Sequence, residues 1–288
     1  MGGSQVFLEE GETMYVEELI KCTVIASAND AAVALAEHIG GSESAFVTLM
    51  NTRAKQMGLK NTSFENVTGL DDTTEYHLTS ARDIALMSKE LIKYPIITQY
   101  ASIWQDTIRN GEFTLTNTNR LVRYYDGCNG LKTGSTDKAG YCVSATAVRD
   151  GMQLIAVIMG AETRDERNNI ARTLLDYGFS NYALFKTEEC ELEKITLKGA
   201  KKNETMIYNT QFSIVVPKSE VKKIETVYEI PEYISAPIKE NQCVGKVIYK
   251  LNGDKLGESD VVVKEEIEKI KFTDILTKML EKIFSIST

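Results

Sequence analysis

The stretch from residue 130 to residue 160 constrains the fold more than any other part of this chain. It contains GLKTG and then YCVSATAVRDGMQLIAVIMG, in which two β-rich runs flank Arg149-Asp150-Gly151, a strong hairpin signal. Three consecutive short strands predict an antiparallel meander. Helical patterns precede it in SESAFVTLMNTRAKQMGLK and TSARDIALMSKELIKYP and follow it in RDERNNIARTLLDYGF. We therefore expect an α+β domain.

Capping residues predict the ends of two of these helices. TSARDIALMSKELIKYP opens with Ser80-x-x-Asp83, which is like a capping box, and stops at Pro95. RDERNNIARTLLDYGF is expected to bury its apolar positions and to end at Gly178 as C-cap. These apolar positions are Ile170, Leu174 and Leu175.

The composition changes near Lys186. Residues 190–265 are rich in Lys, Glu, Val and Ile in short alternating runs, and VGKVIYKLNGDKLGESDVVV turns at Asn252-Gly253. This pattern predicts a small all-β domain. We expect a first domain over 1–185, the all-β domain over 186–265 and an amphipathic helix over 266–288.

The tail, EEIEKIKFTDILTKMLEKIFSIST, carries an apolar stripe at helical spacing. One interpretation is a helix docked on its own domain, and the other is a helix lying in a membrane surface. The segment by itself leaves both open. The stripe consists of Phe272, Ile275, Leu276, Met279, Leu280, Ile283 and Phe284, with Lys271, Lys278 and Lys282 outside it.

Composition excludes several classes of function. The formal net charge of −8 argues against a nucleic-acid partner, because phosphate binding needs clustered Lys and Arg. The five cysteines are scattered and never form C-x-x-C, so neither a zinc site nor a disulfide framework is expected. His38 and His77 are expected to be structural, because no G-x-S-x-G accompanies them. The opening MGGSQVFLEEGE lacks the basic and apolar regions of a signal peptide.

Two short motifs carry chemistry. Ser27-Ala28-Asn29 lies in IASANDAAVALAEHIG, where Ser27, Asn29 or Asp30 would also serve as the cap of a helix that begins at Ala31. Lys132-Thr133-Gly134, taken alone, is a strand that ends in a turn.

Together the motifs are more specific. S-x-N followed by K-T-G resembles the penicillin-binding protein and serine β-lactamase superfamily. SANDAAVALAEHIGGSESAF, MGLKNTSFENVTGLD, NTNRLVRYYDGCNGLKTGSTDKAGYCVSATA and LLDYGF look like serine-type D-alanyl-D-alanine carboxypeptidases of the low-molecular-weight class. The resemblance implies an α+β penicillin-binding-protein-like domain that lacks its N-terminal part, followed by a small all-β domain and an amphipathic helix.

The resemblance also implies an activity. Such enzymes remove the terminal D-alanine from peptidoglycan stem peptides through an acyl-enzyme, without metal or organic cofactor, and β-lactams inhibit them. In this chain Lys132 and Thr133 would bind the terminal carboxylate, and Gly134 would let the peptide lie alongside as an added strand. Asn29 would hydrogen-bond a substrate amide, and Ser27 would relay a proton to the departing amine.

Arg167 falls where the family's carboxylate-steering arginine lies, counting back from LLDYGF. A solvated charge on a helix is the alternative, and both stay open. The resemblance further implies a location on the outer face of the bacterial cytoplasmic membrane, held by the tail helix.

The family's nucleophile motif, Ser-x-x-Lys, should lie several tens of residues before S-x-N. In this chain the spacing occurs only at Ser135–Lys138 and Ser219–Lys222, neither in the right order. We therefore expect an N-terminally truncated carboxypeptidase that is inactive as it stands. A non-catalytic module that binds stem peptides or β-lactams is the alternative. A β-lactamase is less consistent with the all-β domain and the tail.

Overall fold

The computed structural model describes residues 2–72 and 74–285, without the side chains of residue 278 and residues 281–285. The chain divides into two compact units, Met1–Ser180 and Asn181–Thr288. The first unit contains both helices and strands, with five helices before its first strand, whereas strands dominate the second unit.

Seven α-helices, one short 3₁₀ helix (Arg109–Gly111) and five strands form the described part of the first unit, and the last α-helix extends one residue beyond it. The helices are α1 (Val16–Ile25), α2 (Asn29–Gly40), α3 (Glu43–Gln56), α4 (Ala81–Leu91), α5 (Pro95–Ala101), α6 (Leu121–Tyr124) and α7 (Arg164–Asn181). The strands are β1 (Gln105–Ile108), β2 (Phe113–Thr116), β3 (Cys128–Thr136), β4 (Gly140–Arg149) and β5 (Met152–Ala161).

The predicted meander is the sheet β3-β4-β5, with both pairs antiparallel. Its second turn lies at Asp150 and Gly151, whose φ angles of 50° and 75° are those of a tight hairpin turn. In the first pair, Lys132 of β3 lies opposite Ser144 of β4. The α+β prediction for this part of the chain is confirmed.

A buried cluster fixes the turn between α1 and α2. Ile25 and Leu115 are fully buried in it, and each such side chain contributes about 1.5–3 kcal/mol of transfer free energy. The cluster therefore anchors the end of α1 and the start of α2 against the β1–β2 hairpin. Its members are Val6, Cys22, Ile25, Ala28, Ala31, Ile108 and Leu115.

Helix α7 differs from its sequence prediction. Leu175 is buried, but Ile170 is 39% exposed and Leu174 is 48% exposed, and the helix continues past Gly178 to Asn181. A Cβ added at Gly178 would lie 2.4 Å from Leu154 Cδ1. Gly178 therefore permits close packing of α7 on β5 and does not end the helix.

The elements of the second unit are β6 (Tyr182–Thr187), β7 (Cys190–Lys198), β8 (Glu204–Asn209), β9 (Phe212–Pro217), β10 (Ile224–Glu229), β11 (Tyr233–Ser235), β12 (Gln242–Leu251), β13 (Asp254–Val263) and α8 (Phe272–Ser285). Six of the strands form a sheet of order β10-β12-β13-β8-β7-β11, and β6 and β9 form a separate antiparallel pair. The predicted hairpin turns at Asn252 and Gly253, which join Leu251 to its partner Asp254. The small all-β domain is confirmed.

Helix α8 exposes the described part of its apolar stripe. Phe272 is 77% exposed and Met279 is 59% exposed, while Ile275, Leu276 and Leu280 are between 42% and 47% exposed. The side chains of the other predicted members, Ile283 and Phe284, and those of Lys278 and Lys282 lie outside the described residues. No described helix is long and apolar enough to cross a membrane.

Candidate active site

The S-x-N motif lies in the turn between α1 and α2. Ser27 has a φ of 60°, in the left-handed region, and the N–H of Ala28 donates to the carbonyl of Cys22 at 3.1 Å. Helix α2 begins at Asn29, with Ala28 as an N-cap that has no side-chain cap bond. The prediction of a helix from Ala31 capped by a side chain of this motif is therefore wrong.

Asp30 lies inside the first turn of α2, where its Oδ1 accepts from the N–H of Ala31 at 2.9 Å, and its carboxylate also reaches outside the helix. It accepts from the N–H groups of Val6 and Leu8, each at 3.1 Å to Oδ2. The carboxylate thus holds the segment that leads into α1. The first turn of α2 is therefore hydrogen-bonded to that segment through the side chain of Asp30.

The side chain of Asn29 faces the same incoming segment. Its Nδ2 donates to the carbonyl of Gly2 at 2.9 Å, and its backbone N–H donates to the carbonyl of Ser4 at 2.8 Å. The carbonyl of Gly2 therefore already accepts the hydrogen bond from the Asn29 side chain that the resemblance assigns to the substrate. The side-chain amide has the chemistry to hold a peptide carbonyl at this position.

Strand β3 brings Lys132 to the S-x-N turn. Lys132 Nζ donates to Ser27 Oγ at 2.5 Å and to the carbonyl of Thr133 at 2.7 Å. The two residues are 105 positions apart in the chain. This hydrogen bond brings K-T-G and S-x-N, which are far apart in the sequence, into direct contact.

The ammonium of Lys132 lies in an unusual electrostatic environment. Burial lowers the pKa of Lys132 to about 8, and the positive charge of Arg167 acts in the same direction. No salt bridge joins Lys132 to a carboxylate within the part of the chain that the structure describes. A ligand that brings a negative charge would therefore find this ammonium uncompensated.

The rest of K-T-G has two different environments. Thr133 is buried, and its hydroxyl donates to Thr118 Oγ1 at 2.7 Å. Gly134 is exposed, and a Cβ built on it would meet no other atom within 4 Å. Internal packing therefore does not require glycine here. The open space beside Gly134 is available to a ligand.

Arg167 lies on α7 and is only 4% exposed, which does not fit a solvated helix charge. Its Nε and Nη2 donate to Asn168 Oδ1 at 3.2 and 3.0 Å, and its Nη1 donates to the carbonyl of Cys142 at 3.3 Å. Cys142 is the β4 partner of Gly134. Burial lowers the pKa of Arg167, and the neighbouring charge of Arg164 adds to the effect. The guanidinium is thus fixed beside the K-T-G strand.

The two Ser-x-x-Lys matches lie elsewhere. Lys138 Nζ donates to the carbonyls of Asp71 and Thr74, at 3.1 and 3.2 Å, in the turn after β3. Ser219 and Lys222 belong to the second unit, between β9 and β10. In neither match does the lysine bond to its own serine among the described contacts.

Comparison with known proteins decides the family. Residues 1–163 match the family described as D-alanyl-D-alanine carboxypeptidase, and residues 179–269 match the family described as penicillin-binding protein 5, C-terminal domain. This chain belongs to the D-alanyl-D-alanine carboxypeptidase family. The resemblance inferred from the motifs is thereby confirmed, and with it the fold class.

Three relatives illustrate this membership of the carboxypeptidase family. D-alanyl-D-alanine carboxypeptidase DacF of Bacillus subtilis (strain 168) is 43% identical over 287 residues, which cover 97% of this chain and 73% of the relative. The structure of penicillin-binding protein 5 from Haemophilus influenzae has a TM-score of 0.72 and 32% identity, covering 93% of this chain and 78% of that one. Penicillin-binding protein D2 from Listeria monocytogenes, in its cefotaxime-bound form, has a TM-score of 0.57 and 32% identity, covering 61% and 71%.

Two asparagines of this carboxypeptidase-family site were given no role by sequence reasoning. Asn119 is fully buried; its Nδ2 donates to the carbonyl of Gly130 at 3.0 Å and its Oδ1 accepts from the N–H of Leu121 at 3.2 Å. Asn117 Oδ1 accepts from the N–H of Asn119 at 2.9 Å. Together they hold Thr118 against β3. The N-x-N spacing is a signal for such a loop, because asparagine side chains often bond to backbone two residues on.

Proposed function

We propose that this chain carries the substrate-binding half of a D-Ala-D-Ala carboxypeptidase site, and that the ligand is a peptidoglycan stem peptide ending in D-Ala-D-Ala. The observation that carries this proposal is the 2.5 Å contact between Lys132 Nζ and Ser27 Oγ, which brings K-T-G and S-x-N into one site. A cationic strand residue next to a turn with an amide side chain suits a peptide with a free carboxylate.

Lys132 and Thr133 are proposed to hold the terminal carboxylate. A unit charge pair at contact distance is worth about 4 kcal/mol at an effective dielectric constant near 20, before desolvation. Because Lys132 has no carboxylate partner among the described salt bridges, that attraction is not already used within the chain. The Thr133 hydroxyl would exchange its bond to Thr118 for one to the ligand.

The neighbouring groups are proposed to align the peptide. The open edge at Gly134 admits an extended backbone, and Asn29 Nδ2 would donate to a substrate carbonyl in place of that of Gly2. Arg167 would draw the carboxylate toward this end of β3. In a member of the family that turns over its substrate, the serine in the place of Ser27 would carry the proton to the departing D-Ala amine, as the family resemblance implies.

Turnover by the family's route is proposed to be absent from these 288 residues. The described contacts place neither Ser-x-x-Lys match beside Lys132 and Ser27, since Lys138 bonds to the loop at Asp71 and Thr74. Where a nucleophile and its base act together, removal of the nucleophile lowers kcat by roughly a factor of 10⁶. The chain should therefore bind its ligand without releasing D-alanine catalytically.

β-Lactams are proposed as ligands of the same site. Penicillin-binding protein D2, a relative with 32% identity, has been solved with cefotaxime and with ampicillin bound. A β-lactam carries a carboxylate that Lys132, Thr133 and Arg167 would hold as they hold the carboxylate of the peptide.

Helix α8 is proposed to lie on the outer face of the cytoplasmic membrane. The exposure of its described apolar side chains supports this interpretation over docking on its own domain. A helix docked on its own unit would bury that face.

Two measurements on the whole chain test the proposal for the site. Isothermal calorimetry with an acetylated peptide ending in D-Ala-D-Ala should give binding, and the same peptide ending in L-Ala-L-Ala should bind much more weakly. D-alanine release should not exceed one equivalent per chain. Lys132→Gln should abolish binding, while the matched variant Lys138→Gln should retain it. Multiple turnovers, or equal binding by Lys132→Gln, would contradict the proposal.

A further inference from the structure

Arg164 and Arg167 lie three positions apart on α7, so their side chains are neighbours on one face of the helix, with about 5–6 Å between Cβ atoms. Each guanidinium is near a different part of the β3–β4 pair. Arg167 donates to the carbonyl of Cys142, which is the partner of Gly134. Arg167 therefore lies level with the residue at which the peptide is proposed to pass β3.

Arg164 lies one residue further along the strands. Its guanidinium carbon is 5.9 Å from the centroid of the Tyr141 ring, a distance at which an aromatic face attracts an arginine. Tyr141 is the partner of Ser135, the residue after Gly134. A peptide that extends along β3 past Gly134 would therefore next reach the position of Arg164.

A cleft of about 480 Å³ opens at the same end of the sheet. Ser135, Thr136 and Tyr141 line it, together with the turn between β3 and β4 and the end of β5. A Cβ built on Gly160, which also lines the cleft, would meet no other atom within 4 Å. The cleft therefore has room for a side chain of a peptide residue bound beside Ser135.

The charge of Arg164 is not compensated within the part of the chain that the structure describes. No salt bridge among these residues includes Arg164 or Arg167. Burial lowers the pKa of Arg167, and the neighbouring charge of Arg164 lowers it further. A ligand with two negative groups would relieve this repulsion more completely than a ligand with one.

Three other charged residues line the cleft. Lys138 donates to two backbone carbonyls of the loop at 71–74, so its ammonium already has partners. Asp137 and Glu162 are exposed carboxylates that would favour a cationic ligand, but water screens them. Arg164, by contrast, is oriented by an aromatic ring. The sign of the charge that the cleft prefers therefore decides between Arg164 and these carboxylates.

We propose that Arg164 is a specificity-determining residue that binds a second carboxylate of the peptide, on the side chain of the residue before D-Ala-D-Ala. In an extended peptide that residue lies about 6–7 Å from the C-terminal residue, which is close to the spacing of Arg164 and Arg167 on α7. This inference rests on the proposed function, because Lys132 and Thr133 must hold the terminal carboxylate at the same time.

Isothermal calorimetry of the whole chain with three acetylated tripeptides tests the inference. Ac-L-Glu-D-Ala-D-Ala and Ac-L-Gln-D-Ala-D-Ala have side chains of nearly the same shape and differ in charge, and Ac-L-Lys-D-Ala-D-Ala reverses the charge. The Glu peptide should bind about fivefold more tightly than the Gln peptide, as one charge-assisted hydrogen bond allows. The Lys peptide should bind most weakly. High salt should reduce the preference, because Arg164 is exposed.

Arg164→Gln should remove the preference for the Glu peptide and leave the affinity for the Gln peptide unchanged. A merely structural role of Arg164 would change both affinities together. Arg82→Gln removes an exposed arginine on α4 and is the matched control, which should keep the preference. Tyr141→Phe retains the ring beneath the guanidinium and should keep it as well.

The outcomes separate this inference from the proposed function. Equal affinity for the Glu and Gln peptides would overturn the role of Arg164 and leave the D-Ala-D-Ala site standing. Tightest binding of the Lys peptide would overturn it in favour of Asp137 and Glu162. No binding of any of the three peptides would overturn both proposals. A preference for the Glu peptide that persists in Arg164→Gln would also overturn the assignment to Arg164.

Discussion

The hydroxyls of Ser88 and Ser144 lie 2.7 Å apart in a buried contact that joins α4 to β4. Ser144 is the residue paired with Lys132 across the sheet. Strand β4, which pairs with the strand of Lys132, is thus held to α4 by a hydrogen bond between two small side chains. This position predicts an effect on stability that is distinct from an effect on binding.

Ser88→Ala should lower the free energy of unfolding of the first unit by about 1–3 kcal/mol, because the Ser144 hydroxyl is left buried without its partner. Ser88→Ala/Ser144→Ala should cost less than the sum of the two single changes, since both hydroxyls are then gone. Urea titration followed by fluorescence of Trp104, the only tryptophan, reports on this unit. Strict additivity would show that the contact contributes nothing.

Asn119→Ala should destabilise the first unit by about 2–4 kcal/mol, because the carbonyl of Gly130 and the N–H of Leu121 both lose a buried partner. Asn169→Ala, on the exposed side of α7, is the matched control and should stay within about 0.5 kcal/mol. The same tryptophan-monitored titration measures both. Equal stability of the two variants would mean that the N-x-N loop does not anchor β3.

The stability of the first unit should rise with pH through the contribution of Lys132. Its folded pKa of about 8 lies below the ordinary value of 10.5, so the folded state binds fewer protons than the unfolded state between these values. The cost of burying the charge is present in full below pH 8 and is relieved as pH rises toward 10.5, by at most about 3 kcal/mol. The difference in unfolding free energy between Lys132→Met and the unmodified chain should therefore shrink over this window. Because other groups titrate equally in both proteins, a constant difference would refute the lowered pKa.

Gly134→Ala should separate binding from folding. Side chains two apart on a strand share a face, so a Cβ at Gly134 would point to the side on which Lys132 meets Ser27. The unfolding free energy should change by less than about 1 kcal/mol, because the added methyl meets nothing. Affinity for the D-Ala-D-Ala peptide should fall at least tenfold, whereas Lys138→Gln, in the turn after β3, should retain it. Unchanged affinity in Gly134→Ala would argue against an added-strand mode of binding.

Helix α8 should bind vesicles that contain anionic lipid, measured by cosedimentation of the whole chain. Leu276→Glu should weaken binding roughly tenfold or more, since burying one leucine contributes about 1.5–3 kcal/mol. Thr277→Glu adds the same charge outside the apolar stripe and should have a much smaller effect. Similar losses in the two variants would point to simple charge repulsion, and no binding at all would remove the membrane proposal.

Local chemistry made part of this structure predictable. Asp150-Gly151 and Asn252-Gly253 form the turns that their sequence favours, because each adopts positive φ angles that few other residues tolerate. Ser80 caps α4 as expected, its hydroxyl accepting from the N–H of Asp83 at 3.2 Å. In these places the determinants lie within a few residues of one another.

Other features depended on distant partners. The carboxylate of Asp83 binds Thr62 Oγ1 at 2.8 Å, far from the capping box that its position suggests. Gly178 serves the packing of α7 on Leu154, and Asp30 holds Val6 and Leu8, so both were misassigned to helix ends. The approach of Lys132 to Ser27 was foreseeable only through family resemblance, because no local signal links residues 105 positions apart.

The hydrogen bond from Asn29 to the carbonyl of Gly2 gives the two ends of the site different roles in ligand binding. The ligand would replace an existing hydrogen bond at Asn29 and would add a new ion pair at Lys132. At Asn29 one carbonyl replaces another, so the number of hydrogen bonds is conserved and little net free energy is gained. At Lys132 a new charge pair forms. Affinity should therefore reside in the carboxylate end, while Asn29 selects the orientation of the peptide. The backbone N–H of Asn29, which donates to the carbonyl of Ser4, should exchange its hydrogen faster once the ligand has displaced the Gly2–Ser4 segment.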